Sequence, residues 1–252
     1  MILFNNYTLL YNTIMFALHT IDHPYTLEEL SKSIKFEDIT KGRQGAISVD
    51  YRNDSIPIIR TTTKYNEPVQ RFLPVHYDLI ENIKKIVPTA EFNNAMIELY
   101  DSQYSTMGFH TDQSLDLETN SYICLYSCYN NPQINARKLV IKNKTTAEVS
   151  EIRLENNSIV IFSTQINHQY LHKIVLDSGD NKWLGITFRL SKTLIKFINE
   201  IPYFANGMRL TMATDNEKKT FYELRSLENQ HVECNYPEIN YTISISDTLQ
   251  IK

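Results

Sequence analysis

The stretch Tyr100-Asp-Ser-Gln-Tyr-Ser-Thr-Met-Gly-Phe-His110-Thr-Asp112 carries a His-x-Asp pair just beyond Ala95-Met-Ile-Glu-Leu-Tyr100, a run that reads as a β-strand. Residues i and i+2 on an extended chain project to the same face. His110 and Asp112 can therefore offer an imidazole nitrogen and a carboxylate oxygen to one centre. A second histidine from a distant strand would complete a facial triad of two His and one carboxylate, which leaves positions open on Fe(II). By itself such a pair is equally at home in a solvated loop. Two candidates for the third ligand lie in Asn167-His168-Gln-Tyr-Leu-His172. His172 falls inside the strand expected over Tyr170–Leu176 and shares a face with Tyr170, Ile174 and Leu176, whereas His168 falls where the preceding turn ends. His172 is the preferred ligand, and a purely structural histidine is the alternative for either.

Further on, Trp183-Leu-Gly-Ile-Thr-Phe-Arg189 puts Trp183, Gly185, Thr187 and Arg189 on one face of a strand. An inward guanidinium beside a hydroxyl suits an anionic ligand, because its fork holds a carboxylate bidentately. Buried without an anion it would be costly; exposed at a strand end it would mean little. Upstream, Ile56-Pro-Ile-Ile-Arg-Thr-Thr-Thr-Lys-Tyr65 reads as an edge strand or ordered loop, with Pro57 restricting it to an edge. Arg60, Lys64 and Tyr65 are side chains there that could contact a polar substrate, or simply guard an exposed edge with charge.

Positioning such a site requires a β scaffold, and the chain has one. Ser121–Tyr129, Arg137–Lys142, Thr146–Leu154, Ser158–Ser163, Tyr170–Leu176 and Trp183–Leu190 are short runs rich in Val, Ile, Tyr and Phe, separated by Asn-, Asp-, Gly- and Pro-containing turns. Many short strands at this spacing predict a sandwich or jelly roll. Thr26-Leu-Glu-Glu29 has the form of a capping box opening a short helix. Val75, Leu79, Ile80, Ile83 and Ile86 recur near the helical period, so Pro74–Val87 reads as an amphipathic helix. After Thr193 the character changes: Leu194–Ile201 reads as helical, Pro202–Met208 as a loop, Asp215 as the cap of a helix through Phe221, Leu224 and Leu227, and Tyr241–Ile251 as a terminal strand. The chain thus divides into a domain over residues 1–193 and an extension over 194–252 packed on it.

At 252 residues the chain suffices for one large domain or one domain with an appendage. Its 25 basic and 29 acidic residues give a formal charge of −4, which disfavours a global electrostatic grip on nucleic acid but leaves room for a local basic patch. Cys124, Cys128 and Cys234 have no metal-type spacing and read as reduced thiols of an intracellular, cytoplasmic or nuclear, protein. The apolar run Met1–Leu18 is broken by Asn5, Asn6 and Asn12, lacks a basic leader, and is too short and polar to span a bilayer. No membrane partner is expected.

The order Tyr-x9-His-x-Asp, Asn-x4-His, Thr-Phe-Arg resembles the Fe(II)/2-oxoglutarate-dependent dioxygenases, and among them the AlkB-like branch, over roughly residues 56–192. The resemblance implies a mostly β fold with flanking helices around a double-stranded β-helix (jelly roll) core. It implies iron bound by His110, Asp112 and His172, 2-oxoglutarate and dioxygen as cosubstrates, and Arg189 and Tyr100 on the 2-oxoglutarate carboxylates, with Thr187 beside them. Asn167 matches a family asparagine near the distal histidine. The presence of Asp112 argues against a halogenase variant. The branch places its substrate lid near Arg60, Lys64, Tyr65 and Arg71, and a flipped nucleobase would need aromatic stacking for which Tyr51 and Tyr65 are candidates. The chain departs from the pattern at Trp183, where a second arginine is usual, and at Glu98 and Gly185, where asparagines are usual. The implied activity is hydroxylation or oxidative demethylation of a nucleobase in DNA or RNA. The alternatives are a protein side chain or small metabolite as substrate, or a jelly-roll module that only binds.

Overall fold

The computed structural model describes residues 15–22 and 24–251; most of the Met1–Leu18 run lies outside them. Its elements are β1 (Ala17–Thr20), α1 (Leu27–Ser31), β2 (Glu37–Thr40), β3 (Arg43–Val49), β4 (Ile56–Pro57), β5 (Gln70–Arg71), α2 (Pro74–Ile86) and β6 (Asn94–Tyr100). There follow β7 (Tyr122–Tyr129), β8 (Arg137–Asn143), β9 (Val149–Arg153), β10 (Ser158–Ser163), α3 (Thr164–Gln169), β11 (Tyr170–Leu176) and β12 (Trp183–Arg189). The last elements are β13 (Leu194–Ile198), β14 (Ile201–Phe204), β15 (Thr211–Met212), α4 (Asp215–Gln230) and β16 (Tyr241–Thr242).

A major sheet runs β1-β10-β7-β12-β6-β3-β2, and a minor sheet runs β11-β8-β9. The strand period of two decides what each face of the major sheet does. On the outer face, Ile97 of β6, Cys124 and Tyr126 of β7, and Ile186 and Phe188 of β12 pack under Leu79, Ile80 and Ile83 of α2. On the inner face, Tyr100, Ile123, Leu125 and Trp183 meet Leu139 and Ile141 of β8 and Ile174 of β11 across the jelly roll. β6, β7 and β12 are buried on both faces, so they read as continuous apolar runs that Glu98, Ser127 and Arg189 interrupt. Inner-face polar residues in such strands are placed against the burial rule and point to a site.

The structure corrects the reading after residue 193. Leu194–Ile198 is a strand, not a helix, and it pairs with Ile201–Phe204 across a two-residue turn. Asn199 and Glu200 there both have positive φ, at 49° and 66°, as a primed hairpin turn requires. The β-branched Ile195 and Ile198 suit this strand. Thr214, not Asp215, caps α4: its hydroxyl accepts from the Glu217 N–H while the Glu217 carboxylate accepts from the Thr214 N–H at 2.7 Å. The terminal strand shrinks to Tyr241–Thr242, and a single 3-10 turn follows over Ile245–Thr248. His168 lies in α3, not at the end of a turn.

Residues beyond 193 are tied to the preceding chain at several points. β13 pairs with β4, Ser246 N–H donates to the Tyr65 carbonyl at 3.0 Å, and Arg60 donates to the carbonyls of Ile239 and Tyr241 at 2.7 and 3.1 Å. Among the described residues no helix is long and apolar enough to cross a membrane. The three cysteines are free thiols.

Candidate metal centre

β11 brings His172 to the His-x-Asp segment through backbone pairing. His110 N–H donates to the His172 carbonyl at 3.0 Å, and His172 N–H returns a bond to the His110 carbonyl at 2.7 Å. Such a pair places two side chains on the same side of the ribbon, and the two imidazole centroids lie 4.6 Å apart. Asp112 projects to the same side two residues on. One ligand-type atom from each of His110, Asp112 and His172 lies within 4.8 Å of the others. Asp112 and His172 are buried, while 30% of the His110 side chain stays open to the cavity.

The surroundings prepare these atoms for a cation. His110 Nδ1 lies 3.0 Å from the Gly108 carbonyl, so it carries the proton and leaves the Nε2 lone pair facing Asp112. Burial, reinforced by the neighbouring His172, pushes the His110 pKa down to about 3, so the ring is neutral at ordinary pH. Burial pushes the Asp112 carboxyl up, but His172, the Arg189 guanidinium and His110 outweigh it and hold the group well below the usual carboxylate range. The result is a neutral imidazole at His110 and an anion at Asp112 beside the His172 ring, a donor set that suits a divalent cation. Asp112 Oδ2 has no hydrogen bond among the described residues.

Two further contacts fix Asp112. The Asn167 side chain from α3 bonds both its N–H and its carbonyl. From the other side α4 grips the neighbouring backbone: Asn229 Oδ1 accepts from the Thr111 N–H at 3.0 Å, Arg225 donates to the Thr111 carbonyl, and Glu228 accepts from the Ser114 N–H at 2.8 Å. Glu228 is fully buried and also receives Arg225 at 2.8 Å and the Tyr236 hydroxyl at 2.7 Å. Sequence reasoning found Asn167 but missed Arg225, Glu228 and Asn229, which lie more than 110 positions from their partners.

The three ligand-type residues open on a cavity of about 540 Å³. Arg189 and Thr187 line it together, as their shared face requires, and Arg189 is 2% exposed, with Nη1 3.6 Å from Asp112 Oδ2 and Nε unpaired. A buried guanidinium with an unused donor facing a cavity is poised for an anion. On the neighbouring strand β6, Glu98 also lines the cavity, is held in an ion pair by Arg43 and accepts from the Tyr100 hydroxyl at 2.7 Å. Tyr100 is fully buried behind Glu98, against Trp183 and Tyr104, and does not line the cavity. Its expected carboxylate contact is corrected to a hydrogen bond with Glu98. Trp183 replaces the second arginine with a buried indole.

The expected lid is also corrected. Arg60 is committed to Asp116, at 2.7 and 3.0 Å, and faces a separate cleft of about 500 Å³. Tyr65 is 4% exposed and packs against Gly45, while Tyr51 stacks under Arg71 at 3.9 Å and bonds Asp54. Lys64 is exposed but is not part of the cavity wall. What faces the cavity from this segment is Thr61, Thr62 and Thr63. His168 lines the separate cleft, so the structure brings His172 and not His168 to the metal centre.

The family model described as the 2OG-Fe(II) oxygenase superfamily matches residues 47–211. The chain belongs to that superfamily. Its members use Fe(II), 2-oxoglutarate and dioxygen, and the histidine–aspartate–histidine cluster fits them, so the protein is a dioxygenase. No curated protein matches the sequence significantly. The matched span ends before α4, so the Arg225, Glu228 and Asn229 contacts lie outside it.

Proposed function

We propose that this oxygenase is AlkB-like and oxidises a C–H bond of a nucleobase in DNA or RNA, demethylating it where the carbon is an N-methyl group. We infer an intracellular setting, cytoplasmic or nuclear, in which its thiols stay reduced. The observation that carries the reading is the convergence of His110, Asp112 and His172 in one cavity with the unpaired donor of Arg189. In this reading the three residues hold Fe(II), and Arg189 with Thr187 beside it holds the 2-oxoglutarate carboxylate. The metal would supply dioxygen activation, coupled to oxidative decarboxylation of 2-oxoglutarate. The balance is one dioxygen and one 2-oxoglutarate consumed per substrate hydroxylated, with succinate and carbon dioxide released. On an N-methyl carbon the hemiaminal then breaks its C–N bond, leaving formaldehyde and the demethylated nitrogen.

The protein's part is to orient and to exclude water. Asn167 holds the Asp112 backbone, α4 holds Thr111 and Ser114 on either side of it, and Ile123, Leu125, Leu139, Phe162 and Ile174 give the cavity an apolar wall. The nucleobase reading draws on Phe109, next to His110 in the cavity wall, with Lys173 and Lys142 4.5 and 6.0 Å from its ring centre. An aromatic face flanked by two cations suits a base and its phosphates.

The test is an anaerobic titration with Fe(II) and 2-oxoglutarate, following the visible charge-transfer band, and then formaldehyde release from methylated oligonucleotides. The band should vanish in His172→Ala, persist in His168→Ala and need more 2-oxoglutarate in Arg189→Met. Turnover should fall steeply with salt, as phosphate contacts demand. No band in the wild type would sink the metal and cosubstrate assignment. A band without any product across DNA and RNA panels would sink the nucleobase, and an added oxygen on a peptide or metabolite would replace it.

A further inference from the structure

The imidazoles of His110 and His172 are held differently on the side away from the metal. His172 Nε2 lies 3.5 Å from Asp112 Oδ1, so it is the nitrogen offered to the cation, and Nδ1 is the outer one. At His110 the outer nitrogen meets the Gly108 carbonyl at 3.0 Å. At His172 it has no hydrogen-bond partner among the described residues, although the side chain is buried. A metal-binding histidine ordinarily fixes its ring by donating from that nitrogen. Backbone pairing with His110 places the His172 backbone, but the torsion that turns an imidazole about its Cβ–Cγ bond is broad and roughly two-fold. Packing must set it.

Aromatic rings supply that packing. Phe162 of β10 lines the cavity with its ring centre 5.6 Å from that of His172, inclined at 64°. Phe16, just before β1, lies 6.4 Å from His172, also at 64°, and 4.3 Å from Phe162. Tyr170, on the same face of β11 as His172, closes the group 5.8 Å from Phe16. Inclined rings at such separations attract each other and hold a preferred angle. The arm that delivers Phe16 is itself fixed, because Ala17–Thr20 pair with Ile161–Ser158, the residues of β10 that lead into Phe162. This end of the apolar Met1–Leu18 run precedes the matched span of residues 47–211.

We propose that Phe16 is a positioning residue for the metal ligand His172, its ring setting the imidazole angle that no hydrogen bond sets. The proposal rests on the metal assignment above and not on the nucleobase. Phe16 offers no ligand atom and does not line the cavity, so removing it leaves all three donors in place. It changes only how one of them points. A lone pair turned away from its metal binds more weakly and distorts the coordination geometry. The arm that precedes the family span thus completes the metal centre.

The full chain would be titrated with Co(II) as wild type, Phe16→Ala, Phe16→Leu and Leu18→Ala. Calorimetry gives the affinity, and the visible d–d bands of Co(II) report the coordination geometry. Phe16→Ala should weaken Co(II) binding about 10- to 100-fold, as the loss of an orienting partner does, and shift the bands. Phe16→Leu keeps the apolar bulk without the ring. Its metal-free form should melt near the wild type, yet it should share both losses. Leu18, 38% exposed on the adjoining strand, should bind Co(II) like the wild type when replaced by Ala. Wild-type affinity and bands in Phe16→Ala would overturn the proposal. So would their full recovery in Phe16→Leu, which would make Phe16 an apolar filler, or an equal loss in Leu18→Ala, which would assign the effect to the strand. If Phe16→Ala does not fold, Phe16→Leu decides. A wild type that binds Co(II) no better than Phe16→Leu refutes this inference alone. One that binds no Co(II) refutes the metal assignment, and this inference with it.

Discussion

The Asn167 side chain donates to the Asp112 carbonyl at 2.7 Å and accepts from the Asp112 N–H at 2.8 Å, so one side chain from α3 pairs with a residue 55 positions earlier as a neighbouring strand would. Because the Thr111 hydroxyl also donates to the Asn167 backbone carbonyl, the carboxylate reaches the cavity from a doubly braced backbone. Replacing Asn167 by Ala should leave the fold intact and weaken Co(II) binding about 10- to 100-fold, the usual cost of removing a group that orients a ligand. Isothermal titration checks this. Unchanged metal affinity would mean that backbone pairing with β11 alone positions Asp112.

Glu228 is fully buried, pairs with Arg225 one turn earlier in α4 and joins the helix to Ser114 and Tyr236. Glu228→Ala leaves Arg225 without its carboxylate and Ser114 N–H unpaired. Breaking a buried pair in this way costs about 3–5 kcal/mol. The expected outcome is a large fall in melting temperature together with weaker metal binding, because α4 also holds Thr111. Calorimetry of the apo and Co(II)-loaded forms would separate the two effects.

Asp247 is half-buried near Asp116 and accepts from the Thr242 hydroxyl at 2.5 Å. Burial and that neighbouring carboxylate push its pKa up to about 7, against the opposing pull of the Thr242 hydroxyl and Arg60. The folded protein therefore keeps this proton over a range in which the unfolded chain has lost it. Its stabilising contribution is complete below about pH 4, the unfolded value, and is lost as the pH rises through 7. Between pH 5 and 7.5 the melting temperature of the wild type should fall relative to that of Asp247→Asn. Parallel curves for the two proteins would show that Asp247 is ionised in the fold.

At Gly185 an added Cβ would lie 2.1 Å from Trp183 Cη2, because the indole covers the glycine two residues along the same face. Gly185→Ala must displace that ring, with an overpacking cost of about 1–3 kcal/mol. Trp183 is the single tryptophan of the chain, so its fluorescence reports the displacement directly as a red shift. Since Thr187 and Arg189 continue this face, 2-oxoglutarate affinity should drop in the same variant. An unshifted spectrum would contradict the packing.

The face shared by Trp183, Gly185, Thr187 and Arg189 on β12 was legible in the sequence because alternation along a strand is local: knowing that Arg189 faces inward is enough to place the other three with it. His110 and Asp112 were legible for the same reason, and His172 stood out from His168 by lying inside a predicted strand. Leu194–Ile201 was misread because a short apolar run does not distinguish helix from strand until β4 offers it an edge to pair with.

What the sequence by itself determined was the donor set and the face each donor takes, since residue type and a two-residue period suffice for both. Only the tertiary structure decided which polar residues reach the cavity. Arg60 is withdrawn by Asp116, 56 positions away, and Tyr65 is buried beneath Gly45, whereas Arg225 and Asn229 arrive from α4 and Gln113 is left unpaired. Each outcome depends on a partner distant in the chain, and a charge or amide carries no local sign of whether such a partner will satisfy it.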